Sequence, residues 1–264
     1  MPYGMLAGNG RFPMLALESA RRLGIDVVVI GIEEEVGPEV PAAHKLSLGA
    51  LSKLIDICKT EGITQLMMCG QVKHTKIFSA IRPDWRLIKL LAALDSKNTD
   101  ALIGGVARVL KDEGIELVDS TLLLKELLAP VGVLTKRKPS SDELKELDYG
   151  RRIANSLAAF DIGQSVVISD RACVALEAME GTDAILRRAA ELTGGAPLRL
   201  IKSSRRRQHL LFDVPVLGLD SIDVMMQTHT TAASFDAGRT LLLDRDQLIA
   251  RANECGIALV GVAP

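Results

Sequence analysis

Short aliphatic runs alternate along this chain with stretches in which apolar residues recur every three or four positions, and glycines or polar turns separate the two. Compact aliphatic runs predict buried strands, and the three-to-four spacing predicts helices with one apolar face. Residues 4–7 form such a run, Gly8-Asn9-Gly10-Arg11-Phe12-Pro13 is a glycine turn, 14–23 is helical, and 25–30 is a second strand. Strand, glycine turn, helix and strand in this order make a Rossmann-like opening. The fingerprint is incomplete, with Pro13 near the place of a third glycine and Glu33-Glu34-Glu35 arriving late for the usual acid after the second strand. The turn at Gly8, Asn9 and Gly10 therefore suits a nucleotide or phosphate better than a full dinucleotide. The alternation continues with a helix over 51–58 and a strand over 65–69 that ends in the turn Gly70-Gln71-Val72-Lys73. Ligands of open α/β sheets collect at such strand ends, which makes Lys73 and His74 candidates. Residues 82–128 read as mostly helical, with one short strand around 115–118.

A boundary follows, marked by Pro130-Val131-Gly132-Val133 and the basic, Pro/Ser-rich stretch from Thr135 to Ser141. The expected organisation is a first domain over 1–134, a linker over 135–141 and a second domain over 142–264. The second domain opens with a helix over 142–160, then strands over 165–169 and 172–176 joined through Asp170-Arg171 as a hairpin. A helix over 182–193, a strand over 198–202 and a proline-stiffened segment over 212–218 follow. The remainder is a helix over 221–227, strands over 232–235 and 240–243, a helix over 245–254 and a strand over 257–262. The fold class is α/β, a Rossmann-like N-terminal domain plus a second α/β domain.

Composition narrows the function. Hydrophobic residues make up 48% of the 264 positions and aromatics only 3%, so the cores are built from Leu, Val, Ile and Ala. That favours parallel sheets buried on both faces and leaves too few rings for a base-stacking surface. A net charge of −1 gives no overall attraction to nucleic acid. Cys58, Cys69, Cys173 and Cys255 show no CxxC spacing, which argues against structural zinc and fits a reducing cytoplasm. The first residues lack the basic lead and apolar core of a secretory signal, and no apolar run reaches the ~20 residues of a spanning helix.

Candidate chemistry concentrates in the second half. In Glu177-Ala-Met-Glu180-Gly-Thr182-Asp183-Ala-Ile-Leu-Arg187-Arg188, three carboxylates sit three residues apart, a Gly-Thr pair opens a helix, and two arginines follow. A helix start attracts anions, and carboxylates beside it can hold a divalent cation. The alternative is a capped surface helix with a charged first turn. Asp213 lies between Phe212 and Val214 in a segment stiffened by Pro215, where an ionised side chain needs a partner or a cation. His209 and His229 have no acid or serine at useful spacing, and neither a GxSxG elbow nor a Walker A sequence occurs. Elimination leaves carboxylates acting with a divalent metal and basic phosphate clamps such as Arg187 or Lys202.

These residues bring out a family. The chain resembles the LpxI-type UDP-2,3-diacylglucosamine pyrophosphatases of lipid A assembly, in blocks that run nearly end to end. They are Leu-Ala-Gly-Asn-Gly-Arg-Phe-Pro (6–13), Cys-Gly-Gln-Val-Lys (69–73), Thr-Asp-Ala-Leu-Ile (99–103) and Leu-Leu-Ala-Pro-Val-Gly-Val-Leu (127–134). Asp-Ile-Gly-Gln-Ser-Val-Val (161–167), Glu-Ala-Met-Glu-Gly-Thr-Asp-Ala (177–184), Phe-Asp-Val-Pro-Val-Leu-Gly (212–218) and Phe-Asp-Ala-Gly (235–238) complete the set. The chain departs from the family at Leu219, where a proline is expected, and at Asp236, where glutamate is commoner. The resemblance implies two α/β domains with the active site in the cleft between them. It implies Mg²⁺-dependent attack of water on the pyrophosphate, without a covalent intermediate, giving UMP and the acylated sugar 1-phosphate. Asp213 matches the family's catalytic aspartate, as metal ligand or as the base that positions water. Glu180 and Asp183 would share the metal, with Arg187 or Lys202 on the phosphates, Gly8, Asn9 and Gly10 on the uridine side, and Lys73 and Thr182 as further substrate contacts. A lipid substrate implies contact with the inner-membrane surface from the cytoplasm, with no nucleic-acid partner and with a homodimer left open. A non-catalytic nucleotide-sugar-binding protein is the main alternative, and a Rossmann oxidoreductase a more distant one.

Overall fold

The computed structural model describes residues 1–72, 83–94, 99–160, 162–204, 211 and 214–264. The chain divides into two compact units, Met1–Leu124 and the remainder from Lys125, with Leu211 grouping with the first. Lys73, His74, Arg205, Arg206, Arg207, His209 and Asp213 lie outside the described residues.

The first unit runs β1 (Tyr3–Ala7), α1 (Phe12–Leu23), β2 (Val27–Ile32), β3 (His44–Leu46), α2 (Leu51–Thr60), β4 (Gln65–Cys69), α3 (Trp85–Ala92), α4 (Thr99–Asp112) and β5 (Glu116–Leu117). Its five strands are all parallel in the order β3-β2-β1-β4-β5. Strand order reverses beside β1, so the carboxyl ends of β1 and β4 flank the switch point of the sheet. The core on one side is aliphatic, with Ile30, Leu54, Ile55, Cys58, Leu66, Leu110 and Ile115 buried together. Helix α1 starts at Phe12 rather than Met14, because Pro13 in a first turn needs no hydrogen-bond acceptor for a missing N–H. Asp84 caps α3 by accepting from Leu87 N at 3.0 Å, and also accepts from Ser52 N at 2.5 Å at the start of α2.

The second unit runs β6 (Gly132–Val133), α5 (Ser141–Ala159), β7 (Ser165–Ser169), β8 (Ala172–Leu176), α6 (Thr182–Leu192), β9 (Leu198–Lys202), β10 (Val216–Leu217), α7 (Leu219–Gln227), β11 (Thr230–Asp236), β12 (Leu241–Leu242), α8 (Arg245–Glu254) and β13 (Ala258–Val262). Six strands form one sheet in the order β6-β13-β11-β9-β7-β8. β9, β11 and β13 are parallel, while β6 and the β7–β8 hairpin run antiparallel at the two ends. The hairpin turns through Asp170 and Arg171, both left-handed, as a tight two-residue connection requires. β12 does not extend the main sheet beside β11; it pairs with β10 in a separate ladder. The division between the units falls ahead of the stretch 135–141 expected as a linker. Around that stretch, Leu134 N donates to Leu259 O at 2.9 Å and Lys136 N to Asn253 Oδ1 at 2.7 Å, so it is stitched into the second unit.

Strand alternation assigns the two faces of this sheet. Val166, Ile168, Ile201, Ala232 and Ala258 meet Leu147, Ala154 and Leu157 of α5. Val167, Leu200, Ala233, Phe235 and Leu259 meet Ile185, Leu186 and Ala189 of α6, Ile222 and Met225 of α7, and Leu248 and Ala252 of α8. No helix among the described residues is long and apolar enough to cross a membrane.

Helix α5 is fastened at its start. Ser140 and Glu143 form a reciprocal capping box, and Glu143 also accepts from Arg137 at 2.7 and 2.8 Å and from Thr231 Oγ1 at 2.5 Å. Burial pushes the Glu143 carboxyl up, but the bonds from Arg137, Thr231 and Ser140 outweigh it and bring the pKa down to about 2. A carboxylate depressed in the folded state stabilises the fold above its unfolded pKa and loses that contribution as pH falls toward the folded value. Urea melts should therefore show stability falling from about pH 4.5 downward, and Glu143→Ala should cost roughly 3 kcal/mol at neutral pH while flattening that acid dependence.

Candidate functional site

In the first unit the glycine turn is shaped by close approach of two chains. Gly8 N donates to Cys69 O at 2.8 Å, and Asn9 and Gln71 exchange backbone bonds of 2.8 and 2.9 Å. A Cβ on Gly8 would sit 2.7 Å from Gln71 O, and one on Gly70 (φ 94°) would sit 2.7 Å from Asn9 O. Both glycines are thus required for the ends of β1 and β4 to lock together. Gly10 N donates to Asn9 Oδ1 at 2.7 Å, and α1 then begins with no side-chain cap. An uncapped helix start at the switch point of a parallel sheet is a setting that favours an anionic ligand.

In the second unit, polar side chains gather where β9, β11 and β13 end. Toward α6, Lys202 at the end of β9 pairs in register with Ser165 at the start of β7. Lys202 Nζ donates to Thr182 Oγ1 at 3.3 Å and to Val216 O at 3.2 Å. Thr182 donates to Glu177 Oε1 at 3.1 Å and shares a 3.0 Å bond with Ser165 Oγ. Glu177 Oε2 accepts from Gln164 N at 3.3 Å. Gly181, at φ 87°, turns the chain into α6 without a side-chain cap, so the helix start joins this group. One ammonium, two hydroxyls and a helix N-terminus converge here.

Toward α5, Asp236 at the end of β11 is buried and accepts from Arg151 Nη2 at 2.7 Å, Ser204 N at 2.7 Å and Ser204 Oγ at 2.5 Å. Arg151 Nη2 also donates to Ala263 O at 2.9 Å. Around this hub the side-chain atoms Arg151 Nη1, Ser203 Oγ, Ser234 Oγ and Thr240 Oγ1 are buried and find no hydrogen-bond partner among the described residues. Four orphaned polar atoms at one sheet edge are costly without a partner, and all four can donate to an anion.

The residues singled out in the sequence fall differently. Thr182 and Lys202 come together as described. Glu180 binds Arg188 at 3.0 Å and accepts from Ala178 N at 2.9 Å. Its own amide lowers its pKa most; burial opposes this, but the Ala178 amide and Arg188 add to the lowering, so it is held ionised. Asp183 accepts a long 3.4 Å bond from Ser221 Oγ. Arg187 points to Gln227 Oε1 at 3.0 Å on the exposed side. Among the described residues no three His, Cys, Asp or Glu side chains gather as metal ligands; Glu180 and Asp183 carry the oxygen donors a hard cation takes, each with its own partner described above. Sequence reasoning missed Arg151, Ser165, Ser203, Ser204, Ser234 and Thr240. The available signal was polar residues directly bordering aliphatic runs, as in Gln164-Ser165 and Lys202-Ser203-Ser204. Burial raises the Cys69 thiol well above its ordinary range and the Cys58 thiol to about 11, which fits core residues rather than nucleophiles.

Two α/β units, each with polar groups at the carboxyl edge of its sheet, define a two-domain α/β protein. The chain belongs to the LpxI family: sequence models of the LpxI N-terminal domain and the LpxI C-terminal domain match residues 2–127 and 130–260. UDP-2,3-diacylglucosamine pyrophosphatase LpxI of Caulobacter vibrioides is 30% identical over 99% of this chain and 97% of its own length. Among solved structures, the biotin carboxylase domain of Hydrogenobacter thermophilus 2-oxoglutarate carboxylase aligns at 15% identity and a TM-score of 0.22. That alignment covers 64% of this chain and 35% of the carboxylase chain, and a likeness so slight carries no weight.

The Asp236 hub yields a stability prediction. Asp236→Ala should destabilise the protein by about 3 kcal/mol in urea melts, because it leaves Arg151 charged and buried without its partner. Adding Arg151→Met should recover part of that loss.

Proposed function

We propose that the chain hydrolyses the pyrophosphate of UDP-2,3-diacylglucosamine in a Mg²⁺-dependent reaction, by direct attack of water, to give UMP and 2,3-diacylglucosamine 1-phosphate (lipid X). The observation that carries this reading is the match of both LpxI domains in order along the chain, together with a relative of nearly the same extent that bears this activity in its name. The substrate would be met at the cytoplasmic face of the inner membrane, with the uridine side at the Rossmann-like first domain and the pyrophosphate at the second.

The chemistry requires a water oxygen to bond to phosphorus, the bridging P–O bond to break, and the leaving phosphate to keep the electron pair. The substrate pyrophosphate brings two negative charges that repel the nucleophile. Lys202 Nζ, fixed by Thr182 and Val216, supplies a positive charge at the strand edge. The open amides of α6 supply donors for phosphate oxygens, and the Thr182 hydroxyl, which donates to Glu177 here, would turn from that carboxylate to add another. Asp213 either accepts the proton of the attacking water or ligates the metal with Glu180 or Asp183. Bound Mg²⁺ would neutralise phosphate charge as it develops. Gly8, Asn9, Gly10 and Lys73 serve the nucleotide side in this reading, and Arg187 the phosphates.

Asp213→Ala should abolish most UMP release from the diacylated UDP-sugar in a single-turnover assay, while near-normal turnover would remove Asp213 from the reaction. Lys202→Ala should lower kcat by about 10²-fold, the range for loss of one charge-stabilising donor, with the melting temperature little changed.

A further inference from the structure

We propose that the outer face of α3 is a docking surface for lipid bilayers with anionic headgroups. The helix reads Trp85-Arg86-Leu87-Ile88-Lys89-Leu90-Leu91-Ala92. Leu87 is buried and Leu90 and Leu91 pack against the first unit's core, which fixes the inner face. Trp85, Ile88, Lys89 and Ala92 are all exposed and recur at helical spacing, so they form one outward stripe. Trp85 is 63% exposed and Ile88 55%, far more than large apolar side chains in a packed position. Clustered exposure of this kind marks a partner surface rather than scattered surface residues.

Charge selects the partner. Lys89 sits on the stripe itself. Beside it, Glu113 at the end of α4 pairs with both Arg86 and Lys59, a group of two cations and one anion that leaves a net positive charge. The Arg86 guanidinium also lies 5.1 Å from the Trp85 ring centre. No acidic residue lies within α3; burial raises the pKa of its cap Asp84, but the Leu87 and Ser52 amides outweigh that and hold it ionised, so Lys59, Arg86 and Lys89 stand against Asp84 and Glu113 with a net positive charge. An indole flanked by an aliphatic side chain and cations is the composition that settles at the boundary between headgroups and acyl chains. The helix is also held rigidly, through Asp84 to α2 and through Arg86 to α4, so the stripe is presented as a fixed face.

The proposal rests on the membrane contact that the pyrophosphatase reading implies and assigns it to one face; because the test contains no substrate, its failure is distinguishable from a failure of that reading. Trp85 is the sole tryptophan, so its emission reports this face alone. The full chain should be mixed with phosphatidylethanolamine–phosphatidylglycerol vesicles and followed by tryptophan emission and co-sedimentation. The expected result is a blue shift with co-sedimentation, weakened at high salt. Ile88→Ser and Lys89→Glu retain the reporter and should each bind the vesicles at least about fivefold more weakly, with unchanged thermal melts. Absence of a shift, or binding unchanged in both variants, would overturn the proposal. A shift that needs only higher protein concentration and no lipid would also overturn it, and would assign the face to a second copy of the chain.

Discussion

The second unit depends on one buried carboxylate. Asp236 ends the central parallel strand β11 and holds together three things that would otherwise be loose: the Arg151 side chain of α5, the backbone of Ser204 where β9 ends, and the Ser204 hydroxyl. A buried aspartate without such partners would be expelled or neutralised. With them it ties the helix on one face of the sheet to the segment that follows β9. The orphaned donors of Arg151, Ser203, Ser234 and Thr240 surround the same point. Unpaired buried donors cost stability, so this edge of the sheet is less stable than a fully paired one would be.

The first unit relies on a different constraint, backbone proximity. Gly8 and Gly70 let the ends of β1 and β4 approach until Asn9 and Gln71 share backbone bonds. No side chain fits between them, and the amides of Gly8, Asn9, Gly10 and Gln71 are all spent on the turn itself, which leaves the uncapped start of α1 as the open polar feature of the switch point.

Much of this was legible from residues. Aliphatic runs at 65–69, 165–169, 172–176 and 198–202 located strands because apolar residues dominate each of them and polar ones fall mostly at their ends. The Asp170-Arg171 turn announced the hairpin. Legibility failed where long-range pairing decides. The pattern marked β12 as a strand without saying where it pairs, and it joins β10 through tertiary packing that local pattern does not encode. The stretch 135–141 has linker composition, yet Lys136 is bonded to Asn253 across the chain. In the site, Thr182 and Lys202 were visible as charge and cap. Arg151 was not, because a helix surface arginine differs from a buried hub only through the strand it meets 85 positions later.

The central claim is hydrolysis of a lipid-linked UDP-sugar pyrophosphate with metal assistance. The most direct measurement is turnover of UDP-2,3-diacylglucosamine in ¹⁸O-labelled water, with Mg²⁺ and with EDTA. The account predicts release of UMP and the sugar 1-phosphate, one ¹⁸O atom in the phosphate of one of the two products, and loss of turnover when the metal is chelated. Tight binding of the UDP-sugar without turnover in the presence of Mg²⁺ would contradict it, leaving a nucleotide-sugar-binding protein in its place.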